Sequence, residues 1–149
     1  MEAARAARLG ILALDTRFPR IPGDVGNRDT WPFPVLYDVV PGATPHRVVT
    51  QGSKGLLDDF KQAAEVLIEK GADGIATTCG FLSLFQAELA NHVDAPVATS
   101  SLMQAPVVQN LLPAGRRVGI LTVNSKALTK AHLEAAGVDP STPVQGAED

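Results

Sequence analysis

Short apolar runs alternate with helix-length amphipathic stretches along this chain, and that alternation constrains its fold more than any other feature. The runs are Leu9–Leu14 (LGILAL), Val35–Val40 (VLYDVV), and residues 74–78 (GIATT), 95–99 (APVAT) and 118–122 (VGILT). The first lacks helical spacing and ends at the polar Asp15-Thr16-Arg17, as a strand buried on both faces does. Residues 56–70 instead place Leu56, Phe60, Ala63, Ala64, Leu67 and Ile68 at three- and four-residue steps, which makes one apolar helical face. Asp58 and Asp59 near the start, Lys70 at the end and Gly71 just beyond agree with the helix dipole and with a C-terminal stop. Residues 81–90, 102–112 and 126–136 read as further helices. Strands alternating with helices form βαβ units, so the expected class is α/β, a parallel sheet flanked by helices. Residues 46–49 read as a short extension of the second strand. The tail after Pro140 holds one more strand-like cluster.

Residues 18–34 are rich in Pro and Gly and hold the lone Trp31, so they form a loop. A loop this long inside a compact domain is functional or mobile. Arg17, Arg20 and Arg28, in or beside it, could clamp an anionic substrate, although solvated surface charge accounts for at least two of them.

Composition excludes several kinds of function. The 149 residues, with 45% hydrophobic content, make about one domain. A chain of that length buries roughly two thirds of its unfolded surface without staples. Its single cysteine forbids an internal disulfide, and His46, His92 and His132 are too scattered for a zinc site, so no metal is expected. A net charge of −3, with no basic run, argues against a nucleic-acid partner. No apolar run reaches the roughly 18 residues of a membrane span, and the N-terminus lacks a signal-peptide core. No membrane association is expected, and a cytoplasmic location is.

In open parallel sheets, ligands bind beyond the carboxyl ends of the strands. Those ends carry Asp15-Thr16-Arg17, Thr77-Thr78-Cys79-Gly80, Thr99-Ser100-Ser101 and Thr122-Val123-Asn124-Ser125. Such hydroxyl and amide side chains could cradle a carboxylate or phosphate, and they are also ordinary helix caps. Cys79 is the sharpest candidate. A thiol at a helix N-terminus has its thiolate favoured by the dipole and could act as base or nucleophile, although a free cysteine is often only a small core residue. No histidine is well placed to serve it: His92 lies at the far end of the helix that Cys79 begins, and His46 and His132 read as surface residues. No GxGxxG or GxxxxGK[ST] pattern follows a strand, which argues against dinucleotide or ATP binding.

The segments GIATTCGFLSLF, APVATSSLMQA and RVGILTVNSKALTKAHLEAAGV, in this order, resemble the first half of the aspartate/glutamate racemase superfamily. The opening LGILALDTRFPRIPGDVGNRDTWPFPV is similar to the hydantoin-racemase-like branch. The resemblance implies a cofactor-independent enzyme of two α/β lobes, with one cysteine from each half on opposite faces of a substrate's acidic carbon. It matches Cys79 to the first catalytic cysteine and Asp15 to a group that orients or protonates it. Thr16, Thr78, Gly80, Thr99 and Ser100 would line the cleft, and Thr122, Asn124 and Ser125 would hold a substrate carboxylate. Two departures stand out. Gly80-Phe81 replaces the Asn-Thr of the acidic amino-acid racemases, and no second cysteine is present.

The expected function is therefore a racemase, an isomerase acting on an amino acid or hydantoin. The alternatives are a non-catalytic binding module or inactive fragment, and a single-cysteine decarboxylase, because one thiol cannot serve both faces of a carbon. The expected division is an N-terminal extension (1–8), a first lobe (9–113) and the start of an incomplete second lobe (114–149). The partners expected are a small carboxylate or hydantoin-like substrate and a second copy in a homodimer, since an incomplete lobe leaves apolar surface open.

Overall fold

The computed structural model describes residues 5–148. Strand β1 (Leu9–Leu14) is the spine of a parallel sheet, with β2 (Val35–Val40) on one side and β3 (Gly74–Thr77) on the other. β4 (Val97–Ala98) continues the sheet beyond β3, giving the order β2-β1-β3-β4. Because β1 is central and covered on both faces, its residues from Gly10 to Leu14 are all buried, as the unbroken run LGILAL requires. Residues 1–4 of the expected N-terminal extension lie outside the described residues. Arg5 reaches the Asp73 carboxylate through both guanidinium nitrogens at 2.9 and 2.6 Å, and the Arg8 N–H reaches it at 2.8 Å.

Helix α1 (Leu57–Glu69) packs Phe60, Ala63, Ala64 and Leu67 onto β1, β2 and β3. Burying Phe60 and Leu67 contributes about 1.5–3 kcal/mol each. The helix ends in a Schellman motif: Gly71, at φ +90°, donates to Ile68 O at 2.8 Å, and Ala72 donates to Leu67 O at 3.0 Å. The sheet approaches α1 closely at Gly10, where a Cβ would stand 2.9 Å from Ile75 Cδ1 and 3.2 Å from Leu67 Cβ.

Elsewhere the local winding differs from expectation. Residues 46–49 do not extend β2. The chain turns at Gly42 (φ +70°), and His46–Thr50 winds as a π-helix that drives Val48 fully into the core. The helix expected over 81–90 is a 3-10 helix, Gly80–Phe85, followed by α2 (Gln86–Ala90), and the 3-10 segment buries the consecutive Phe81, Leu82 and Ser83. The helix expected over 102–112 is likewise a 3-10 turn, Ser101–Gln104, and then α3 (Ala105–Leu111), restarted by Pro106, which has no N–H to continue the tighter turn. α4 (Lys130–Ala135), with Thr129 as its N-cap, begins four residues beyond the predicted helix start, Lys126. It packs on the 3-10 helix Gly80–Phe85.

β5 (Ile120–Thr122) does not join the four-stranded sheet. It pairs in parallel with β6 (Val144–Gly146), the strand that the tail only hinted at, with Ile120 opposite Val144. No helix among the described residues is long and apolar enough to cross a membrane.

Candidate active site

Cys79 is the hinge between β3 and the 3-10 helix that follows. Its backbone is extended (φ −142°, ψ 117°), and its carbonyl accepts the Leu82 N–H at 3.1 Å, the first bond of that helix. Two threonines fix the segment from behind. Thr78 Oγ1 accepts the Leu14 N–H at 3.0 Å, tying the end of β3 to the end of β1. Thr77 Oγ1 lies 2.7 Å from the Thr99 carbonyl and accepts the Cys79 N–H at 3.3 Å.

The half-buried thiol stands where two cavities meet. One, of about 600 Å³, is lined by Thr78, Cys79, Gly80, Ser100 and Ser101 and by apolar residues that include Val25, Met103 and Val107. The other, of about 450 Å³, shares Thr78, Cys79, Gly80 and Ser101 and opens toward Thr122 and Val123. Gly80 permits this floor, since a Cβ there would come within 3.2 Å of Ser100 Oγ.

Burial pushes the Cys79 thiol above its ordinary range, and the Phe81 N–H and the positive charge of Arg20 pull only partly the other way. This reverses the expected dipole-favoured thiolate. The helix behind Cys79 is a short 3-10 segment, and desolvation of the sulfur outweighs its free N–H groups.

Of the other residues singled out in the sequence, Thr78, Gly80, Ser100 and Thr122 line these cavities. Ser100 also caps the 3-10 turn, its Oγ accepting the Leu102 N–H at 3.1 Å. Asp15 is not joined to the thiol: its carboxylate accepts the Gly42 N–H at 3.2 Å and locks the turn after β2. Thr16 accepts from Arg20 at 3.2 Å, so it positions the one loop arginine whose charge reaches Cys79. Arg20 is held in turn by Asp24 at 2.7 Å, and Arg28 lies over the Tyr37 ring.

Thr99 is fully buried and lines neither cavity, because its hydroxyl donates to Gln86 Oε1 at 2.8 Å. Gln86 also accepts the Thr99 N–H at 3.0 Å and donates to Val97 O at 2.9 Å, ending β4. Asn124 caps its own turn by accepting the Ala127 N–H at 2.9 Å. Ser125 holds the Glu148 carboxylate through its N–H at 2.6 Å and its hydroxyl at 2.7 Å. His92 pairs with Glu65 at 2.8 Å, and His46 is exposed. His132 is not a surface residue: it is 3% exposed and packs edge-on against Phe81. Among the described residues, no group of three or more His, Cys, Asp or Glu is arranged to hold a metal ion.

No family model matches the chain. It is 35% identical over 139 residues to a dimethylsulfoniopropionate lyase of Durusdinium sp. clade D, a match covering 89% of this chain and 46% of that protein. It is 34% identical over 151 residues to dimethylsulfoniopropionate lyase 3 of Emiliania huxleyi, covering 95% of this chain and 39% of that one. The chain thus spans less than half the length of these relatives. Among solved structures, a glycine-to-cysteine mutant of arylmalonate decarboxylase superposes with a TM-score of 0.59 at 14% identity, over 95% of this chain and 63% of that one. The aspartate racemase of Picrophilus torridus superposes with a TM-score of 0.52 at 12% identity, over 93% and 61%.

These names correct the racemase and isomerase reading. The relatives at 28–35% identity are named lyases, so a lyase, with which the decarboxylase alternative agrees in kind, fits better than a racemase. The proteins the chain resembles are enzymes. In fold, the chain resembles arylmalonate decarboxylase and aspartate racemase.

Proposed function

We propose that this chain carries the thiol-bearing part of a carbon–sulfur lyase that acts on a small β-sulfonio carboxylate by elimination, with Cys79 as the base. The observation that carries this reading is the half-buried Cys79 in the lining of two cavities that also hold hydroxyl and apolar side chains. The names of the relatives supply the substrate class.

Elimination asks less of the protein than racemisation. The Cys79 thiolate takes the proton α to the carboxylate, and the C–H electron pair becomes the new C=C bond. The β carbon–sulfur bond breaks, and sulfur leaves with its electron pair as a neutral dialkyl sulfide. An α,β-unsaturated carboxylate remains, and the thiol returns its proton to water. One base on one face is sufficient, since nothing is delivered to the opposite face. Ser100, Ser101 and Thr78 provide hydroxyls for the substrate carboxylate, whose negative charge grows as the proton departs.

The raised thiol also suits a cationic leaving group. A thiol held neutral by burial ionises more readily when a positive charge arrives within a few ångströms, which a sulfonium does and a second carboxylate does not.

The test is incubation of the chain, alone and within any longer protein that contains it, with dimethylsulfoniopropionate. Dimethyl sulfide is measured by headspace gas chromatography and acrylate by NMR. Equal amounts of the two products are expected, with a loss of about 10²–10⁴-fold in Cys79→Ser. Absence of product from every form, or full activity in Cys79→Ser, overturns the reading.

A further inference from the structure

Of the loop of residues 18–34, one residue, Val25, lines the cavity that Cys79 also lines. Met103, Val107 and Val108 line the same cavity. Val25 is half-buried and does not belong to the hydrophobic core of the sheet.

Its backbone is pinned from two directions. The Val25 carbonyl accepts the Trp31 indole N–H at 3.1 Å and the Tyr37 hydroxyl at 3.0 Å, which uses both of its lone pairs. Trp31 follows the 3-10 turn Arg28–Thr30, whereas Tyr37 belongs to β2 and lies opposite Ile11 of β1. Tyr37 therefore ties this loop carbonyl to the rigid sheet, and Trp31 ties it to the far end of the loop.

The rest of the loop is braced around the same point. Asp24 takes Arg20 at 2.7 Å and the Gly26 N–H at 2.6 Å, and Asn27 Nδ2 donates to Arg20 O at 2.6 Å. Thr30 Oγ1 donates to Asp24 O at 2.6 Å. The β-branched Val25 has little rotamer freedom of its own, so on a fixed backbone it is a stiff wall.

We propose that Val25 determines specificity at this site by limiting the size of the group that can stand against the Cys79 thiol, with Trp31 and Tyr37 as its positioning residues. For the substrate class this rests on the lyase reading, where the group so limited is the pair of alkyl substituents on sulfur. One methylene in an apolar pocket is worth about 10–200-fold in discrimination, so a single valine can separate dimethyl from diethyl sulfonium substrates.

The test has two arms. The chain holds one cysteine, so alkylation reads Cys79 alone. In the first arm, rates with iodoacetamide and with N-benzyl iodoacetamide are compared as a ratio. Val25→Ala is expected to raise the benzyl-to-parent ratio about tenfold and Val25→Leu to lower it. Trp31→Phe, which keeps a ring but loses the N–H, is expected to raise it by a smaller factor at unchanged circular dichroism. In the second arm, kcat/KM is compared for dimethyl and diethyl sulfoniopropionate, with Val25→Ala narrowing the difference.

An alkylation ratio that stays the same in Val25→Ala and Val25→Leu overturns the assignment. A shifted ratio without turnover of any sulfonium substrate upholds Val25 as the size limit and rejects the lyase reading instead. Turnover with both ratios unmoved rejects Val25 and keeps the lyase reading.

Discussion

His132 Nδ1 accepts the backbone N–H of Thr129 at 3.1 Å, and this bond fixes the imidazole proton on Nε2, inside the core. That Nε2 has no hydrogen-bond partner among the described residues. Burial lowers the His132 pKa below its ordinary 6.5. The unfolded chain therefore binds more protons than the folded one at and below pH 6.5. The stability is present above that value and falls as pH drops toward the folded pKa. Thermal unfolding should show a lower Tm at pH 5 than at pH 7.5, each 1 kcal/mol appearing as about 2–4 °C. In His132→Leu the difference should shrink, and an equal pH response in both proteins would sink this account.

Cys79 should alkylate more slowly at pH 7 than a free thiol such as glutathione, since burial keeps it protonated. Its pH–rate curve should reach half height above the ordinary thiol value of 9.0. Arg20→Gln removes a positive charge that favours the thiolate and should move that midpoint higher still. Alkylation faster than glutathione at neutral pH would contradict the buried, neutral thiol.

Gly10 lets β1 lie directly on α1 and β3, and an alanine there must displace Ile75, Ala72 or Leu67. Gly10→Ala should cost about 1–3 kcal/mol by overpacking, measurable by urea denaturation. The alkylation kinetics of Cys79 should be retained below the transition, because Gly10 is at the opposite end of β1 from the site. A stability equal to wild type would show that the core has slack there.

The four-stranded sheet and α1 were readable from sequence because their signals are long or uninterrupted. LGILAL is apolar throughout, and Leu56, Phe60, Ala63 and Leu67 keep one face through several turns. The 3-10 helix Gly80–Phe85 was not, since six residues are too few to separate a period of 3.0 from 3.6. His132 escaped for the same reason: in a six-residue helix, nothing in the pattern tells the side that meets Phe81 from the side that meets water.

At the site, sequence position located Cys79, Thr78, Gly80 and Ser100, because strand ends converge in any parallel sheet. It could not foresee that Thr99 is turned inward by Gln86, thirteen residues earlier, a choice made by side-chain geometry across two elements. Nor could it give the direction of the thiol's shift, which depends on how much water reaches the sulfur. The racemase reading and the proposed elimination share a first step, removal of a proton beside a carboxylate, and differ in what the substrate carries on its next carbon.

The short β5–β6 ladder gives the molecule a graded cohesion. Only three residues on each side join it, and Leu121 and Val123 turn toward solvent. A two-stranded ladder has little stability of its own, so this segment depends on α4 gripping the 3-10 helix behind Cys79. Local opening should therefore begin at residues 120–146 and spread inward, and the last amides to exchange should be those of β1. The wall of the smaller cavity would breathe on a faster clock than the floor that holds the thiol.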